Sequence, residues 1–265
     1  MKIKANGISM NYEIKGRGEN LVLIHGAGDN LNMWYHQVPV LSKSYHVITY
    51  DVRGSGKTES PEGEYSISLF AKDAYELMKG IKVEGAYFLG YSMGGRVALE
   101  LALNHPEMVK ALVLANSSVG LTPPSPEAAE RRRVMVELLD KGDIKEFAEI
   151  MTTGAFSPNF KTQNPVEFKK YMRVKLQNKP DGLARLIRTL GTPTSPPDLS
   201  KVKCPVLLIA GENDQYMGVD QAKQVHEAII GSKLVVLPTG HAVAIEMPDK
   251  FNSVVLEFLS EVSKG

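Results

Sequence analysis

A chain of 265 residues, 43% hydrophobic and 23% charged, has the composition of an ordinary globular protein and can bury a sizeable core. Its net charge of +1 gives no reason to expect a nucleic-acid or membrane partner, and its single cysteine, Cys204, excludes an internal disulfide and a zinc cluster of Cys and His. No apolar run approaches the roughly 20 residues of a membrane-spanning helix, and the N-terminus lacks a signal-peptide core, so we expect a cytoplasmic protein.

Seven short apolar or β-branched segments predict the strands of a sheet. In chain order they cover 8–14, 20–26, 45–51, 85–92, 109–117, 204–211 and 232–240. The first, "ISMNYEI", alternates polar and apolar residues, which favours an antiparallel edge strand. The other six are nearly continuous apolar runs, which indicate strands covered on both faces of a mostly parallel sheet.

Helical patterns lie between these strands, at 66–80, 94–104, 219–230 and 248–262. Strands that alternate with helices are typical of a doubly wound α/β sheet. We therefore expect an α/β fold.

The alternation stops between Ser118 and about Ser200. The Pro-rich stretches "TPPSP" and "GTPTSPPDLS" bound this region, and its interior predicts helices at about 126–141, 143–153, 165–178 and 181–190. Ligands of open α/β sheets bind at the carboxyl ends of the strands, so we interpret the region as a lid over a pocket. We expect a core domain of residues 1–117 and 200–265 and a helical cap of residues 118–199.

One basic run, Arg131-Arg132-Arg133, falls in the first of these helices. Three glutamates flank it: Glu127, Glu130 and Glu137. Because charges three and four residues apart pair on a helix surface, we interpret the run as a solvated helix face.

A serine stands where a buried strand turns into a helix, in "AYFLGYSMGGRVALELAL". Ser92 has Gly90 two residues before it and Gly94 two residues after it, which is the G-x-S-x-G pattern of a nucleophile elbow. Such a tight turn holds the hydroxyl clear of the sheet, and the N–H of Met93, at the helix start, would point to a developing oxyanion. We predict Ser92 as a nucleophile and Met93 as an oxyanion donor.

A serine hydroxyl needs a base and an acid that orients the base. Among the six histidines we predict His241 as the base, because "LPTGHAVAIEMP" follows the last strand in a loop at the carboxyl edge. His25 precedes the elbow, which is the wrong chain order, and we expect it to order its own loop. Asp214, at the end of the strand 204–211, fits the acid better than Glu212.

The loop "HGAGDN" (25–30) supplies the second oxyanion donor, which we predict to be the N–H of Ala27, because small residues let the backbone approach the substrate. Trp34 and Met217 are candidates for the pocket wall, with core packing as an equally good interpretation of each. The other residues predicted to line the pocket are Gly26, Gly28 and Val243.

Five motifs in this order resemble those of the α/β-hydrolase superfamily, specifically its capped carboxylesterase and 3-oxoadipate enol-lactonase branch. They are "HGAG" at 25–28, "DVRGSGKTE" at 51–59, "GYSMGG" at 90–95, "GENDQY" at 211–216 and "GHAVAIEMPDKFN" at 240–252. The resemblance covers residues 8–262. It implies an eight-stranded, mostly parallel sheet with a helical cap after the sixth strand, and the catalytic triad Ser92, Asp214 and His241. It also implies that Asp51 and Arg53 fix loops under the site.

The resemblance implies hydrolysis of a small carboxylic ester or lactone through an acyl-enzyme, with no cofactor and no metal. Ser92 disfavours haloalkane dehalogenases and epoxide hydrolases, which have an aspartate at the elbow. A C–C bond hydrolase stays open, although no aromatic residue follows His241. Its substrate carboxylate would have three candidate partners: Arg131, Arg173 and Arg185.

Further alternatives are a cofactor-free haloperoxidase or perhydrolase, which shares the triad, and a ligand receptor that retains it without turnover. The oligomeric state is left open.

Overall fold

The computed structural model describes residues 1–117, 119–120, 125–192 and 195–264, and one sheet of eight strands runs through it. The strands are β1 (Lys2–Ala5), β2 (Ile8–Lys15), β3 (Asn20–Ile24), β4 (His46–Tyr50), β5 (Ala86–Tyr91), β6 (Val109–Ala115), β7 (Val206–Gly211) and β8 (Lys233–Leu237). Their spatial order is β1-β2-β4-β3-β5-β6-β7-β8, with β3 to β8 parallel and β1 and β2 joined by antiparallel pairs. The predicted eight-stranded, mostly parallel α/β sheet is confirmed.

The first two strands form a hairpin, of which the sequence pattern predicted only the second strand. Asn6 and Gly7 join them with φ of 45° and 80°, the left-handed backbone of a two-residue hairpin turn. β2 lies between β1 and β4, with Tyr12 opposite Tyr50. The prediction that 8–14 forms the edge was therefore wrong, because β1 covers that edge.

β8 is the opposite edge of the sheet and is only partly covered. Lys233 is exposed and Val236 is 42% exposed, since β8 pairs only with β7. The prediction that every strand after the first is covered on both faces was wrong for this strand.

Alternate side chains of the central strands enter two apolar layers. In β3, Val22 and Ile24 pack in one layer with Phe70, whereas Leu21 and Leu23 pack in the other. Each such side chain, when fully buried, contributes about 1.5–3 kcal/mol to folding. Burial on both faces explains why the segment is continuously apolar.

The helices outside the long connection between β6 and β7 are α1 (Val38–Leu41), α2 (Ile67–Gly80), α3 (Met93–Asn104), α9 (Val219–Ala228), α10 (Val243–Glu246) and α11 (Pro248–Val262). α2 begins at Ser66, whose hydroxyl accepts the N–H of Leu69 at 3.0 Å. Its apolar face, including Phe70, packs in one layer, and that of α11, including Phe251, packs in the other. The four helices predicted in this part of the chain are confirmed.

Besides one turn of 3-10 helix at Leu199–Lys201, the described residues between β6 and β7 form five α-helices, which we call the inserted helices. They are α4 (Pro126–Asp140), α5 (Ile144–Ala155), α6 (Phe160–Gln163), α7 (Pro165–Lys175) and α8 (Pro180–Thr189). Four were predicted, and the short α6 was not. Asn30, after β3, donates to the carbonyl of Val174 at 2.7 Å, and Asn178 donates to that of Gly28 at 2.9 Å. The inserted helices therefore contact the loop at the carboxyl end of β3.

The division into a core and a cap stays a prediction. Several residues at its predicted boundaries lie outside the described part of the chain, namely Ser118, Leu121, 122–124 of the first Pro-rich stretch and 193–194 of the second. Among the helices that are described, none is both long and apolar enough to cross a membrane.

Candidate active site

Ser92 occupies a strained turn between β5 and α3. Its backbone has φ 54° and ψ −118°, a conformation that residues with a side chain rarely adopt. A Cβ on Gly90 would lie 2.3 Å from the carbonyl oxygen of Gly94, and one on Gly94 would lie 2.2 Å from that of Ile24. Both glycines are therefore required, because any side chain would push the turn away from the sheet.

The structure brings Ser92, His241 and Asp214 together. His241 Nε2 lies 2.9 Å from Ser92 Oγ, and His241 Nδ1 lies 2.7 Å from Asp214 Oδ2. With its Nδ1–H donated to the carboxylate, the neutral imidazole leaves Nε2 free to accept the serine proton. The arrangement can therefore activate the hydroxyl as a nucleophile.

Four hydrogen bonds hold the Asp214 carboxylate. Oδ1 accepts the N–H groups of Tyr216 and Met217 at 2.8 and 3.0 Å, and Oδ2 accepts the side-chain amide of Asn116 at 2.6 Å besides His241. Burial acts to raise the pKa of Asp214, but the attraction of His241 and these hydrogen bonds outweigh it, so the pKa lies below its ordinary value. The carboxylate stays ionised and fixed beside the imidazole.

Asn116 is a site residue that the sequence reasoning missed. It follows β6 with φ 46°, and its N–H donates to the carbonyl of Ile209 at 2.8 Å, which directs its amide toward Asp214. A signal was present, because Asn116 is a polar residue directly after a buried strand at the edge where parallel sheets bind ligands.

The two predicted oxyanion donors lie beside Ser92. Met93 is the first residue of α3, so its N–H is one of those that have no acceptor within the helix. Ala27 lines the same cavity as Ser92. A Cβ on Gly26 would lie 3.2 Å from the Cβ of Ser92, so the absence of a side chain lets the Ala27 loop approach the serine closely.

His25 is buried under this loop, and both of its ring nitrogens bind backbone groups. Its Nε2 accepts the N–H of Val52 at 2.9 Å, so its Nδ1–H donates to the carbonyl of Gly26 at 2.8 Å. Burial lowers the pKa of His25, which favours this neutral form. The contacts agree with the expectation that His25 orders its loop.

Asp51 and Arg53 attach the loop after β4 to neighbouring segments, which agrees with the role that the resemblance implied. Asp51 accepts the N–H groups of Leu31 and Lys57, both at 2.8 Å. Arg53 forms a buried two-point ion pair with Asp73 at 2.6 and 2.7 Å.

A cavity of about 490 Å³ lies over Ser92 and His241, a size suited to a small molecule. Met217 lines it as predicted. The other predicted pocket residues do not line it: the prediction was wrong for Gly26, Gly28 and Val243, and of the two interpretations of Trp34 it is core packing that the structure shows.

The packing around these four residues explains why none of them lines the cavity. Trp34 and Val243 have no exposed surface and pack in the apolar layer that contains α11. A Cβ on Gly26 would meet the ring of Tyr91 at 2.9 Å, and one on Gly28 would meet Phe147 at 3.3 Å. These positions are close to the site along the chain, but neighbouring side chains separate them from the cavity.

The basic run on α4 is divided between two environments. Arg133 is exposed and pairs with Glu130 and Glu137, as expected for a solvated face. Arg131 and Arg132 are only half-exposed and line the cavity, so the prediction was wrong for these two residues.

Of the three arginines considered as partners of a substrate carboxylate, Arg131 lines the cavity. Arg173 is exposed, and Arg185 donates to the carbonyl of Ser60 at 3.1 Å. The structure does not bring these two to the cavity.

A buried ion pair, not predicted from the sequence, joins α7 to the loop after β3. The Lys175 ammonium pairs with Asp29 Oδ1, and their side chains are 2% and 1% exposed. The Tyr171 hydroxyl donates to Asp29 Oδ2 at 2.9 Å. Burial and the Asp29 charge raise the pKa of Tyr171 well above its ordinary value, so it stays a donor.

The loop that carries His241 is bound to the end of α5. The Ala242 N–H donates to the carbonyl of Ala155 at 2.7 Å. Glu246 accepts the N–H of Gly240 at 3.0 Å and that of Ser157 at 3.2 Å, and it also accepts the Ser157 hydroxyl. These contacts fix the predicted base, His241, against an inserted helix.

Known proteins are similar to this chain over nearly its whole length. Residues 19–142 match the family model of the alpha/beta hydrolase fold. The chain is 29% identical to 3-oxoadipate enol-lactonase 2 of Acinetobacter baylyi over 255 residues, which cover 96% of this chain and 94% of that protein. An enol-lactonase crystal structure from Burkholderia xenovorans superposes with a TM-score of 0.91 at 28% identity and covers 98% of this chain and 100% of that one. A malate-bound thermophilic esterase from Thermogutta terrifontis superposes with a TM-score of 0.90 at 26% identity and covers 99% and 98%.

Proposed function

Because the chain belongs to the α/β-hydrolase superfamily, in its enol-lactonase-like branch, we propose that it is a serine hydrolase that cleaves a carboxylic ester or lactone through an acyl-enzyme. The observation that carries this proposal is the 2.9 Å contact between His241 Nε2 and Ser92 Oγ at the wall of a cavity. The relatives named as an enol-lactonase and an esterase support the choice of bond.

In the first half of the reaction, Ser92 Oγ attacks the substrate carbonyl while His241 Nε2 takes its proton. Asp214 holds the imidazole in the required tautomer and stabilises the imidazolium. The tetrahedral intermediate then collapses, the bond between acyl carbon and alcohol oxygen breaks, and His241 returns the proton to the leaving alcohol.

In the second half, water attacks the acyl-enzyme and gives a proton to His241, and the acid leaves as Ser92 regains its hydrogen. The N–H groups of Ala27 and Met93 are the proposed donors to the oxyanion of both steps. Removing one such donor typically raises the barrier by about 2.7–4 kcal/mol.

The test is turnover of p-nitrophenyl acetate, butyrate and octanoate by the wild type and by Ser92→Ala. We expect the variant to lose about 10⁴- to 10⁶-fold in kcat. The matched control is Ser117→Ala, since the Ser117 hydroxyl is buried without a hydrogen-bond partner in the described part of the chain. A wild type that hydrolyses none of the three esters, or a Ser92→Ala variant as active as the wild type, contradicts the proposal.

A C–C bond hydrolase is the second candidate, favoured by the placement of Arg131 in the cavity wall. The same serine and histidine would act on a diketone. Cleavage of a diketone at a rate above that of every ester tested would favour this candidate. The two further alternatives, a cofactor-free haloperoxidase or perhydrolase and a ligand receptor without turnover, stay predictions.

We further propose that the inserted helices belong to a cap, residues 118–199, over a core of residues 1–117 and 200–265. The contacts of Val174 and Asn178 with the loop after β3 support this division. The cytoplasmic location stays a prediction, as does the absence of a cofactor and of nucleic-acid or membrane partners.

A further inference from the structure

The loop that carries Ala27, the proposed oxyanion donor, contains a β-turn. The N–H of Asp29 donates to the carbonyl of Gly26 at 3.2 Å, and Gly28 has φ 83°, the left-handed backbone found at the third position of a type II turn. The N–H of Ala27, at the second position, takes no part in the hydrogen bond that closes the turn. The direction of this N–H therefore depends on how the two ends of the turn are held.

The first end of the turn, Gly26, is held against the sheet. Its carbonyl accepts the Nδ1–H of His25 at 2.8 Å. A Cβ on Gly26 would lie 2.9 Å from the ring of Tyr91, the last residue of β5 and the one before the proposed nucleophile. This end of the turn is therefore fixed relative to Ser92.

The second end of the turn, Asp29, is held by α7. Its carboxylate pairs with the Lys175 ammonium and accepts the Tyr171 hydroxyl at 2.9 Å, and all three side chains are buried. The ammonium also lies over the Tyr171 ring, 4.0 Å from its centre. Because burial weakens the screening of the ion pair, separating the two charges is costly. The turn is thus attached to an inserted helix as well as to the sheet.

The two neighbours of Asp29 are bound to the same part of the chain. The carbonyl of Gly28 accepts the side-chain amide of Asn178 at 2.9 Å, and the side-chain amide of Asn30 donates to the carbonyl of Val174 at 2.7 Å. Three consecutive residues of the loop therefore contact α7 or the residues just after it. Contacts at successive residues fix the orientation of the peptide planes between them, and not only the position of the loop.

We propose that Asp29, Lys175 and Tyr171 are positioning residues of the oxyanion hole. By holding the second end of the turn on α7, they keep the N–H of Ala27 directed at the oxyanion that forms when Ser92 attacks. Misplacing a group at a reaction centre by about 1 Å can cost about 100-fold in rate. The inference rests on the proposed function and adds that α7, which supplies none of the predicted catalytic residues, sets the rate of the chemical step.

The test uses the double variant Asp29→Asn, Lys175→Met, which removes the ion pair without leaving a buried charge unpaired. With p-nitrophenyl butyrate we expect kcat to fall about tenfold or more while KM changes less than about threefold, because an oxyanion donor acts in the transition state and not on the bound ester. Tyr171→Phe, which keeps both charges and the ring, should lower kcat about threefold or more. Urea unfolding of each variant shows that it is folded.

Inhibition by butylboronic acid gives a second measurement. A boronic acid forms a tetrahedral adduct with a nucleophilic serine and places an oxygen where the oxyanion would form, so it resembles the transition state. We expect the inhibition constant to rise in each variant by the same factor by which kcat/KM falls. A loss of stability alone, in a chain that is still folded, would not produce this proportion.

Glu149→Gln, Lys161→Met is the matched control. It removes an ion pair that joins α5 to α6 at the surface, and Lys161 lies over the Phe168 ring at 4.9 Å, much as Lys175 lies over Tyr171. This variant should keep kcat within about twofold of the wild type, since exposed ion pairs contribute little. A fall in kcat equal to that of the double variant would overturn the inference.

Two further results count against the positioning role. One is a folded double variant with the kcat of the wild type. The other is a rise in KM at unchanged kcat, because the three side chains also line the cavity and would then bind the substrate. If the double variant does not fold, Tyr171→Phe is judged by the same two criteria.

The proposed function and the positioning role fail separately. Ester hydrolysis at the wild-type kcat in folded variants removes only the positioning role. A wild type that hydrolyses no ester, but binds butylboronic acid more tightly than the variants do, contradicts the proposed function and supports the positioning role. A wild type that neither hydrolyses an ester nor binds the boronic acid contradicts both.

Discussion

Asn116 and His241 bind the same oxygen of Asp214, at 2.6 and 2.7 Å. The amide thus restrains the carboxylate in the position where it meets the imidazole. We expect Asn116→Gly to lower kcat about tenfold with little change in KM, because one hydrogen bond to a charged group is lost while glycine tolerates the φ of 46°.

Steady-state kinetics on the most reactive p-nitrophenyl ester measure this effect. Asn159→Gly is the control, since Asn159 also has a positive φ, 71°, and makes no capping hydrogen bond with its side chain. An unchanged kcat in Asn116→Gly would show that the other contacts of Asp214 suffice.

The depressed pKa of Asp214 also affects stability. A carboxyl whose pKa is lower in the folded than in the unfolded chain stabilises the fold above its unfolded pKa, about 3.9 for Asp. That stabilisation disappears as pH falls through the folded pKa. We expect Asp214→Asn to weaken the fall in the free energy of unfolding between about pH 5 and pH 2.

Urea unfolding at a series of pH values measures this dependence. Glu212→Gln is the control, because Glu212 is an exposed acid two residues away. Parallel pH profiles for Asp214→Asn and the wild type would contradict the assignment.

At the scale of elements, the pair Lys175 and Asp29 joins α7 to the loop that carries Ala27. Removing one partner of a buried pair leaves a charge without compensation, at a cost of about 3–5 kcal/mol. We expect Lys175→Met to destabilise the fold by about this amount, and the double variant with Asp29→Asn to recover most of it.

Denaturant midpoints measure both effects, with Lys223→Met as the control, since Lys223 pairs with Asp220 in solvent. Equal destabilisation in the single and the double variants would mean that Lys175 acts through packing alone.

Helix periodicity predicted which residues of α4 share a face, but not what that face meets. Arg131, Arg132 and Arg133 are adjacent and chemically identical, and what distinguishes the first two in the structure is the position of Tyr216 beside Arg131 and of Gly191 beside Arg132. That position depends on contacts between segments far apart in the chain, which a pattern within one segment does not contain.

The strands and the elbow were predictable because their causes are local. Continuous apolar runs follow from burial on both faces, and Gly90 and Gly94 follow from a turn with no room for a Cβ. The sequence analysis missed β1 because a strand of four residues is too short to show an alternation of polar and apolar side chains. In this strand only the last residue, Ala5, is buried. The Asn6-Gly7 turn was the available signal.

At the scale of the whole molecule, the site combines residues from both sides of the long connection. Ser92 and Asn116 precede the inserted helices, whereas Asp214 and His241 follow them. The sheet brings the two groups together because β5, β6 and β7 are neighbours and parallel, so their carboxyl ends meet at one edge. Sheet topology, rather than distance along the chain, thus assembles the site.

The hydrogen bonds between the end of α5 and the His241 loop have a practical consequence for chimeras. Foreign helices grafted between β6 and β7 would have to bring a carbonyl for the N–H of Ala242 and a hydroxyl for Glu246, as Ala155 and Ser157 do here. Without them the loop that carries His241 would lose these hydrogen bonds, even if every residue outside the inserted helices were retained. The inserted helices therefore cannot be exchanged without regard to these contacts, and a transplant has to reproduce the end of α5 and Ser157.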